Sequence, residues 1–174
     1  MIELFLPFVI GTALGAEPEM DAVAAMQDDT AVVLPQIDAG SGDGADRVPE
    51  PQVPTGKFTT AVEVKPILGM TKANWVAVRD YEGQDLVYFT HLLSWRCGLW
   101  DIRYGVNGAP ATEVFPMEPC HEDTASPNAM TDVENFLPYV IMPSGFVNNI
   151  YVEITLDDGT VDFARFDRNQ VLIP

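Results

Sequence analysis

Hydrophobic and polar residues alternate with a period of two in several short segments of the C-terminal two thirds of the chain. In residues 99–104, Trp100, Ile102 and Tyr104 alternate with charged side chains. In residues 150–157, four aliphatic side chains alternate with polar ones. Because successive side chains of a strand point to opposite faces of a sheet, both segments are predicted to be half-buried β-strands.

Dipeptides typical of tight turns separate these segments. Asn107-Gly108 and Asp158-Gly159 tolerate the positive φ angles of two-residue hairpin turns, and Glu82-Gly83 marks a longer hairpin loop of the same kind. Antiparallel hairpins follow from this spacing. Further strands are expected at residues 60–65, where Pro66 ends the strand, and at residues 75–79, 86–90 and 171–173.

The resulting seven or eight strands predict an all-β domain, a single small antiparallel β-sandwich or partly open barrel. Five prolines lie between residues 115 and 145. Since proline interrupts the helical hydrogen-bond ladder, this segment is predicted to be a long proline-rich loop.

The N-terminal region differs from the predicted β domain. Residues 4–15 are apolar and uncharged, and their length is typical of a signal peptide, which predicts an export segment at residues 1–16. A short buried helix is the alternative, because no Lys or Arg precedes the apolar run. Residues 17–55 carry nine Asp or Glu against one Arg and no aromatic residue. This composition predicts a disordered acidic linker at residues 17–56, followed by the β domain at 57–174.

An Asp- and Gly-rich run within the linker raises the question of a calcium loop. It comprises residues 38–46, with Asp38, Asp43 and Asp46 as possible ligands. Their spacing matches neither an EF-hand nor a repeated Gly-rich calcium motif, so a solvated linker is the favoured interpretation.

The strongly negative net charge of the chain disfavours binding to nucleic acids and anionic lipid surfaces. The 174 residues include 26 Asp or Glu and nine Lys or Arg, and the formal net charge is −17 with an isoelectric point near 4.1. Such a charge repels phosphate backbones and anionic lipid surfaces, so nucleic acid is not an expected partner. Once the export segment is removed, no membrane span is expected either.

The two cysteines, Cys97 and Cys120, are predicted to form a disulfide. They fall within the same predicted domain, and an exported protein meets an oxidising compartment. The bond would join the start of the strand at residues 99–104 to the proline-rich loop. The alternative is that the two cysteines belong to a metal site or supply a reactive thiol. With a disulfide and an export segment, the expected location of the protein is periplasmic or secreted.

A run of metal-ligand residue types begins at Cys120 and continues through His121, Glu122 and Asp123. Adjacent residues of an extended chain point to opposite sides, so at most alternate members would reach one ion. The run nevertheless defines an alternative function, a metal-dependent or thiol-based enzyme centred on His91, Cys97, Cys120 and His121.

Other catalytic motifs are weak or missing from the sequence. It contains no G-x-S-x-G nucleophile motif and no Gly-rich phosphate or dinucleotide loop. The carboxylate pair Asp157 and Asp158 is accounted for by turn formation. We therefore expect no cofactor.

The stretch from residue 88 to 100 is unusually rich in aromatic residues. One interpretation is a central strand buried on both faces, and the other is a surface that binds a partner. In the second case Trp95 and Arg96 are expected to be the most exposed residues, and Trp100 completes the candidate binding set.

Taken together, the sequence favours an exported, non-catalytic binding or envelope-associated protein. Its partner is expected to be a protein or a small ligand in the cell envelope.

Overall fold

The computed structural model describes residues 47–174. Within this range the chain is mostly β, with two four-stranded sheets, few helices and no closed barrel, which is consistent with a small β-sandwich. The predicted export segment, the linker up to residue 46 and the Asp- and Gly-rich run lie outside the described residues.

Eight strands and three helices form the described body. In chain order they are α1 (Ala61–Met70), β1 (Ala77–Tyr81), β2 (Gln84–Tyr88), α2 (Thr90–Leu93), β3 (Leu99–Val106), β4 (Glu113–Val114), β5 (Tyr139–Pro143), β6 (Asn149–Leu156), β7 (Val161–Asp167), α3 (Arg168–Val171) and β8 (Leu172–Ile173). Two single 3₁₀ turns, Lys72–Asn74 and Arg96–Gly98, precede β1 and β3.

The first sheet has the strand order β5-β2-β1-β8, and the second has the order β4-β3-β6-β7. Neighbouring strands are antiparallel throughout, with one exception. The short strand β8 runs parallel to β1 and pairs Leu172 with Val78. The prediction of antiparallel pairing is therefore confirmed for every pair except this one.

One hydrophobic core joins the two sheets. Val78 and Val87 of the first sheet and Ile102 and Ile154 of the second belong to the same buried cluster. In β6 every second residue is buried, as the alternation of residues 150–157 predicts. This shared core fixes the opposite face of each sheet as an outer surface.

The turn dipeptides have the expected backbone at Asn107-Gly108 but only in part at Asp158-Gly159. Asn107 and Gly108 have positive φ, 56° and 85°, and Gly159 has φ of 81°, whereas Asp158 does not have positive φ. Residues 157–159 form a three-residue loop closed by the Leu156 N–H, which donates to the Thr160 carbonyl at 2.8 Å, so the expectation of a two-residue turn here is wrong. Glu82 and Gly83 also have positive φ, and they form a two-residue turn between the paired residues at 81 and 84. The expectation of a longer loop at this hairpin is therefore wrong.

A bulge in β3 changes the predicted face of Trp100. The pairing of β3 with β6 is irregular between Leu99 and Asp101, and Leu99 lies opposite Leu156 on the core side. Ile102 and Tyr104 keep their predicted side, whereas the extra residue Trp100 is only half-buried. The predicted common face of the three residues is thus wrong for Trp100.

The predicted strand at residues 60–65 is instead the first half of helix α1. Its buried residues, Ala61, Val64 and Leu68, have helical spacing. The helix contains Pro66 rather than ending before it. The expectation failed because the β-branched residues of this segment also fit a strand pattern.

Two other segments depart from prediction. Residues 88–100 are not a central strand, since the chain ends β2 at Tyr88, forms α2 and a 3₁₀ turn, and enters β3 only at Leu99. The proline-rich region is a loop over residues 115–138, but β5 then forms at its end. Pro143 fits there because β5 is an edge strand.

The last ten residues of the predicted linker contact the body. The Glu50 N–H donates to the Asp157 carbonyl at 2.9 Å, and the Gln52 side chain donates to the Asp157 carboxylate at 2.8 Å. We call residues 47–56 the N-terminal strap. Within residues 47–174, no helix has the length and hydropathy needed to span a bilayer.

Candidate functional site

A cleft of about 470 Å³ lies on the outer face of the first sheet. This volume falls in the range of small-molecule binding sites. The 3₁₀ turn before β1, the strands β1 and β2, helix α2 and strand β8 all contribute to it. Its lining residues are Asn74, Ala77, Arg79, Tyr88, Thr90, His91 and Ile173.

Cross-strand pairing arranges the apolar surface of the cleft. Ala77 of β1 pairs with Tyr88 of β2, which in turn pairs with Tyr139 of β5. The rings of the two tyrosines are 5.1 Å apart and tilted at 57°. Because paired residues share one face of a sheet, Ala77 and the two tyrosine rings form an apolar row on the outer surface.

Arg79 gives the cleft its charge. It is exposed, and its guanidinium lies 5.1 Å from the centre of the Tyr81 ring. It is the one charged residue in the lining set, which contains no Asp or Glu. The lining of the cleft therefore carries one positive charge and no negative one, although the whole chain is strongly acidic.

His91 lines the cleft, and its contact with Thr71 indicates which of its two ring nitrogens carries the proton. The Thr71 hydroxyl donates to the Ile67 carbonyl at 2.7 Å, and the same hydroxyl oxygen lies 2.7 Å from His91 Nε2. With the hydroxyl proton assigned to the Ile67 carbonyl, Nε2 is the donor in its contact with Thr71. Burial lowers the pKa of His91 from its ordinary value of 6.5, so the ring is neutral at pH 7 and Nδ1 is an acceptor.

The cleft walls rest on buried side chains. Leu92 and Leu93 anchor α2 in the core, and Phe89 precedes them, also buried. Trp75, between the 3₁₀ turn and β1, is buried and donates from Nε1 to the Leu68 carbonyl at 3.0 Å. These contacts preorganise the cleft, which lowers the ordering cost of binding.

Arg96 is not at this surface, and the expectation that it is exposed is wrong. Its side chain is 2% exposed. The guanidinium donates to backbone carbonyls of the proline-rich loop, including those of Glu118 at 2.7 Å and Ala129 at 3.0 Å. Contacts to the carbonyls of Leu93, Pro119 and Asn128 complete this arrangement. Arg96 thus holds the loop against the body.

Trp95 is half-buried. Its ring packs edge-on against Phe58 with 5.3 Å between centroids. Its Nε1 is buried and has no hydrogen-bond partner among residues 47–174. Trp100 is also half-buried, and the Arg47 guanidinium of the N-terminal strap lies 5.8 Å from its ring. The three residues of the predicted binding set therefore do not share one surface patch.

Cys97 and Cys120 form the predicted disulfide, with their Cα atoms 5.1 Å apart. No free cysteine remains. The Asn128 side chain accepts the Cys97 N–H at 2.9 Å, which adds a second connection between this segment and the loop.

His121 pairs with a buried carboxylate in the loop. Its Nε2 lies 2.6 Å from Glu118 Oε1, and the Thr131 hydroxyl donates to the same oxygen at 2.6 Å. Burial would raise the pKa of Glu118, but these hydrogen bonds outweigh it and lower the pKa to about 2. Glu122 and Asp123 are exposed. Among residues 47–174, no three His, Cys, Asp or Glu side chains form a group that could hold a metal ion.

Sequence reasoning identified His91 but missed the rest of the cleft. Arg79 and Tyr88 lie in separate predicted strands, and Asn74 precedes the first of them. The Glu82-Gly83 turn sets the register of the β1–β2 hairpin, in which Ala77 pairs with Tyr88. This register brings Arg79, two residues after Ala77, close to Tyr88 on the same face of the sheet, and the residue types alone do not reveal it.

Comparison with known proteins gives no match, whether with family models, curated proteins or solved structures.

Proposed function

We propose that this protein is an exported, non-catalytic, envelope-associated binding domain that takes a small ligand in the cleft on the outer face of its first sheet. The observation that carries the proposal is the convergence of three recognition groups. A cation at Arg79, an aromatic ring at Tyr88 and a neutral imidazole acceptor at His91 come from three separate elements to line one cleft.

The disulfide supports a location outside the cytoplasm. Bonds of this kind persist in oxidising compartments and are rare where thiols are kept reduced. A periplasmic or secreted protein is consistent with this bond. It also agrees with the expected export segment at residues 1–16 and the acidic linker that follows.

The geometry does not favour the alternative enzyme. Both thiols that it would use are bonded to each other. Of its two histidines, His91 contacts Thr71 beside the cleft, and His121 contacts Glu118 in the loop. The binding function is therefore the better supported of the two.

A thermal-shift screen against a library of small polar compounds tests the proposal. A ligand present at about 100 times its dissociation constant stabilises a protein by about 2.7 kcal/mol, which raises the melting temperature by several degrees. We expect such compounds to stabilise the wild type and to lose their effect on Tyr88→Ala. Phe163→Ala, which removes an exposed ring from the second sheet, is the control and should leave the response unchanged.

No stabilising compound in the library, or equal responses from both variants, would contradict the proposed site.

A further inference from the structure

The cleft presents complementary groups for a ring that carries both hydroxyls and a carboxylate. A tyrosine ring offers an apolar face on which the C–H face of a sugar can stack. A guanidinium binds a carboxylate through two parallel hydrogen bonds. A neutral imidazole nitrogen accepts a hydrogen bond from a hydroxyl group.

These three groups are all present in the lining. Tyr88 supplies the ring, Arg79 the guanidinium, and His91 the imidazole. The polar side chains of Asn74 and Thr90 provide further donors and acceptors.

We infer that the cleft binds a carboxylated sugar, with the carboxylate on Arg79, a ring hydroxyl on His91 Nδ1 and the sugar face against Tyr88. This inference rests on the proposed function and names the class of ligand that the same cleft takes. The volume of about 470 Å³ has room for a mono- or disaccharide.

The charge distribution favours an anionic ligand over a neutral one. Asp and Glu outnumber Lys and Arg by 26 to nine in the whole chain, yet the lining of the cleft holds one Arg and no acidic residue. A hydrogen bond from a guanidinium to a carboxylate is stronger than one between neutral groups.

The test measures dissociation constants by NMR titration of the full chain with two probes, glucuronate and glucose. These sugars share a pyranose ring and differ in the carboxylate. For the wild type we expect glucuronate to bind about tenfold more tightly than glucose.

Three variants assign the contacts. Arg79→Gln should weaken glucuronate about tenfold and leave glucose unchanged. His91→Phe keeps a ring at this position but removes both nitrogens, and with them the Nδ1 acceptor, so it should weaken both sugars to a similar extent. Arg165→Gln is the matched control, because Arg165 also lies over a tyrosine, at 4.0 Å from the Tyr151 ring, but on the second sheet.

Equal affinity of the wild type for the two sugars would overturn the inference. An equal loss of glucuronate affinity in Arg79→Gln and Arg165→Gln would overturn it as well. Arg165 lines a separate cleft of about 340 Å³, so a loss in its variant alone would place the sugar there and overturn the assignment. If neither sugar binds while other compounds stabilise the protein through Tyr88, the sugar inference fails and the proposed function stands. If no compound stabilises the protein through Tyr88, the sugar inference and the proposed function both fail.

Discussion

Arg168 and Asp85 form a bidentate ion pair that connects α3 to strand β2 of the first sheet. The two guanidinium nitrogens of Arg168 lie 2.6 and 2.8 Å from the two carboxylate oxygens of Asp85. Asp85 is fully buried and also accepts the N–H groups of Gly145 and Val147. The pair therefore ties the end of the chain and the turn after β5 to the strand that carries Tyr88.

This pair predicts a loss of stability in acid. The hydrogen bonds from Arg168 lower the pKa of Asp85 from 3.8 to about 2. A carboxyl group whose pKa is depressed by folding stabilises the protein above its unfolded pKa. That contribution disappears as the pH falls from about 4 through about 2, and it amounts to about 2 kcal/mol.

Asp85→Asn should remove this part of the pH dependence and cost about 3 kcal/mol at pH 7, because it breaks a buried pair. Urea unfolding at several pH values between 7 and 2 measures both effects. Asp80→Asn is the control, since Asp80 lies opposite Asp85 in the hairpin but is exposed. Parallel pH profiles of wild type and Asp85→Asn would contradict this account.

Arg96→Met should destabilise the protein by about 3 kcal/mol or more. The substitution removes the hydrogen bonds that the buried guanidinium donates to the proline-rich loop, including the one to the carbonyl of the buried Glu118. Arg103→Met should cost less than about 1 kcal/mol, because Arg103 is only half-buried and Asp101, its partner at 3.4 Å, keeps its contacts with Arg47 and the Thr155 hydroxyl. Chemical denaturation of both variants checks the difference, and equal costs would show that Arg96 does not hold the loop.

Removal of the disulfide should lower the free energy of unfolding by about 3 kcal/mol in the chain-entropy model, because the bond joins residues 23 positions apart. The double variant Cys97→Ser with Cys120→Ser provides the measurement by urea unfolding. Reductant should destabilise the wild type by a similar amount and leave the double variant unchanged. A wild type that is insensitive to reductant would argue against a stabilising bond.

The N-terminal strap depends on Gln52. Its side chain donates to Asp157 at 2.8 Å and accepts the Val62 N–H at 2.9 Å. Gln52→Ala removes both bonds, and the strap should open more often. Trypsin should then cleave after Arg47 and Lys57 several-fold faster than in the wild type, as followed by mass spectrometry. Gln84→Ala, at the exposed turn of the first hairpin, is the control, and equal cleavage in the two variants would mean that Gln52 does not hold the strap.

The strands that could be predicted are those whose pattern is local. In β6 the alternation continues without interruption from Ile150 to Leu156, and the structure confirms it. The Asn107-Gly108 turn could likewise be predicted, because few residue types tolerate the positive φ angles that it requires.

Helix α1 has one local start signal, Glu63, which accepts the Thr60 hydroxyl at 3.0 Å, but distant side chains satisfy the first two N–H groups of the helix. The Asp157 carboxylate accepts the Ala61 N–H at 2.8 Å, and Gln52 accepts the next N–H. Neither partner is close in sequence to the residue that it caps. Local patterning instead showed alternating β-branched residues followed by Pro66, which favours a strand.

The candidate site was only partly predictable for a similar reason. His91 stands out by its residue type, but its acceptor role depends on the Thr71 hydroxyl, twenty residues away. Arg96 was expected at the surface because it is cationic and follows Trp95. Its burial depends on the carbonyls of the loop at residues 118–129, and residue types alone do not reveal that arrangement.

The most direct test of the central claim is a crystallographic fragment screen of the purified protein with its disulfide intact. The account predicts that bound fragments concentrate in the cleft of the first sheet, in contact with Tyr88 and Arg79. Fragments bound only elsewhere, with this cleft unoccupied across the library, would contradict it.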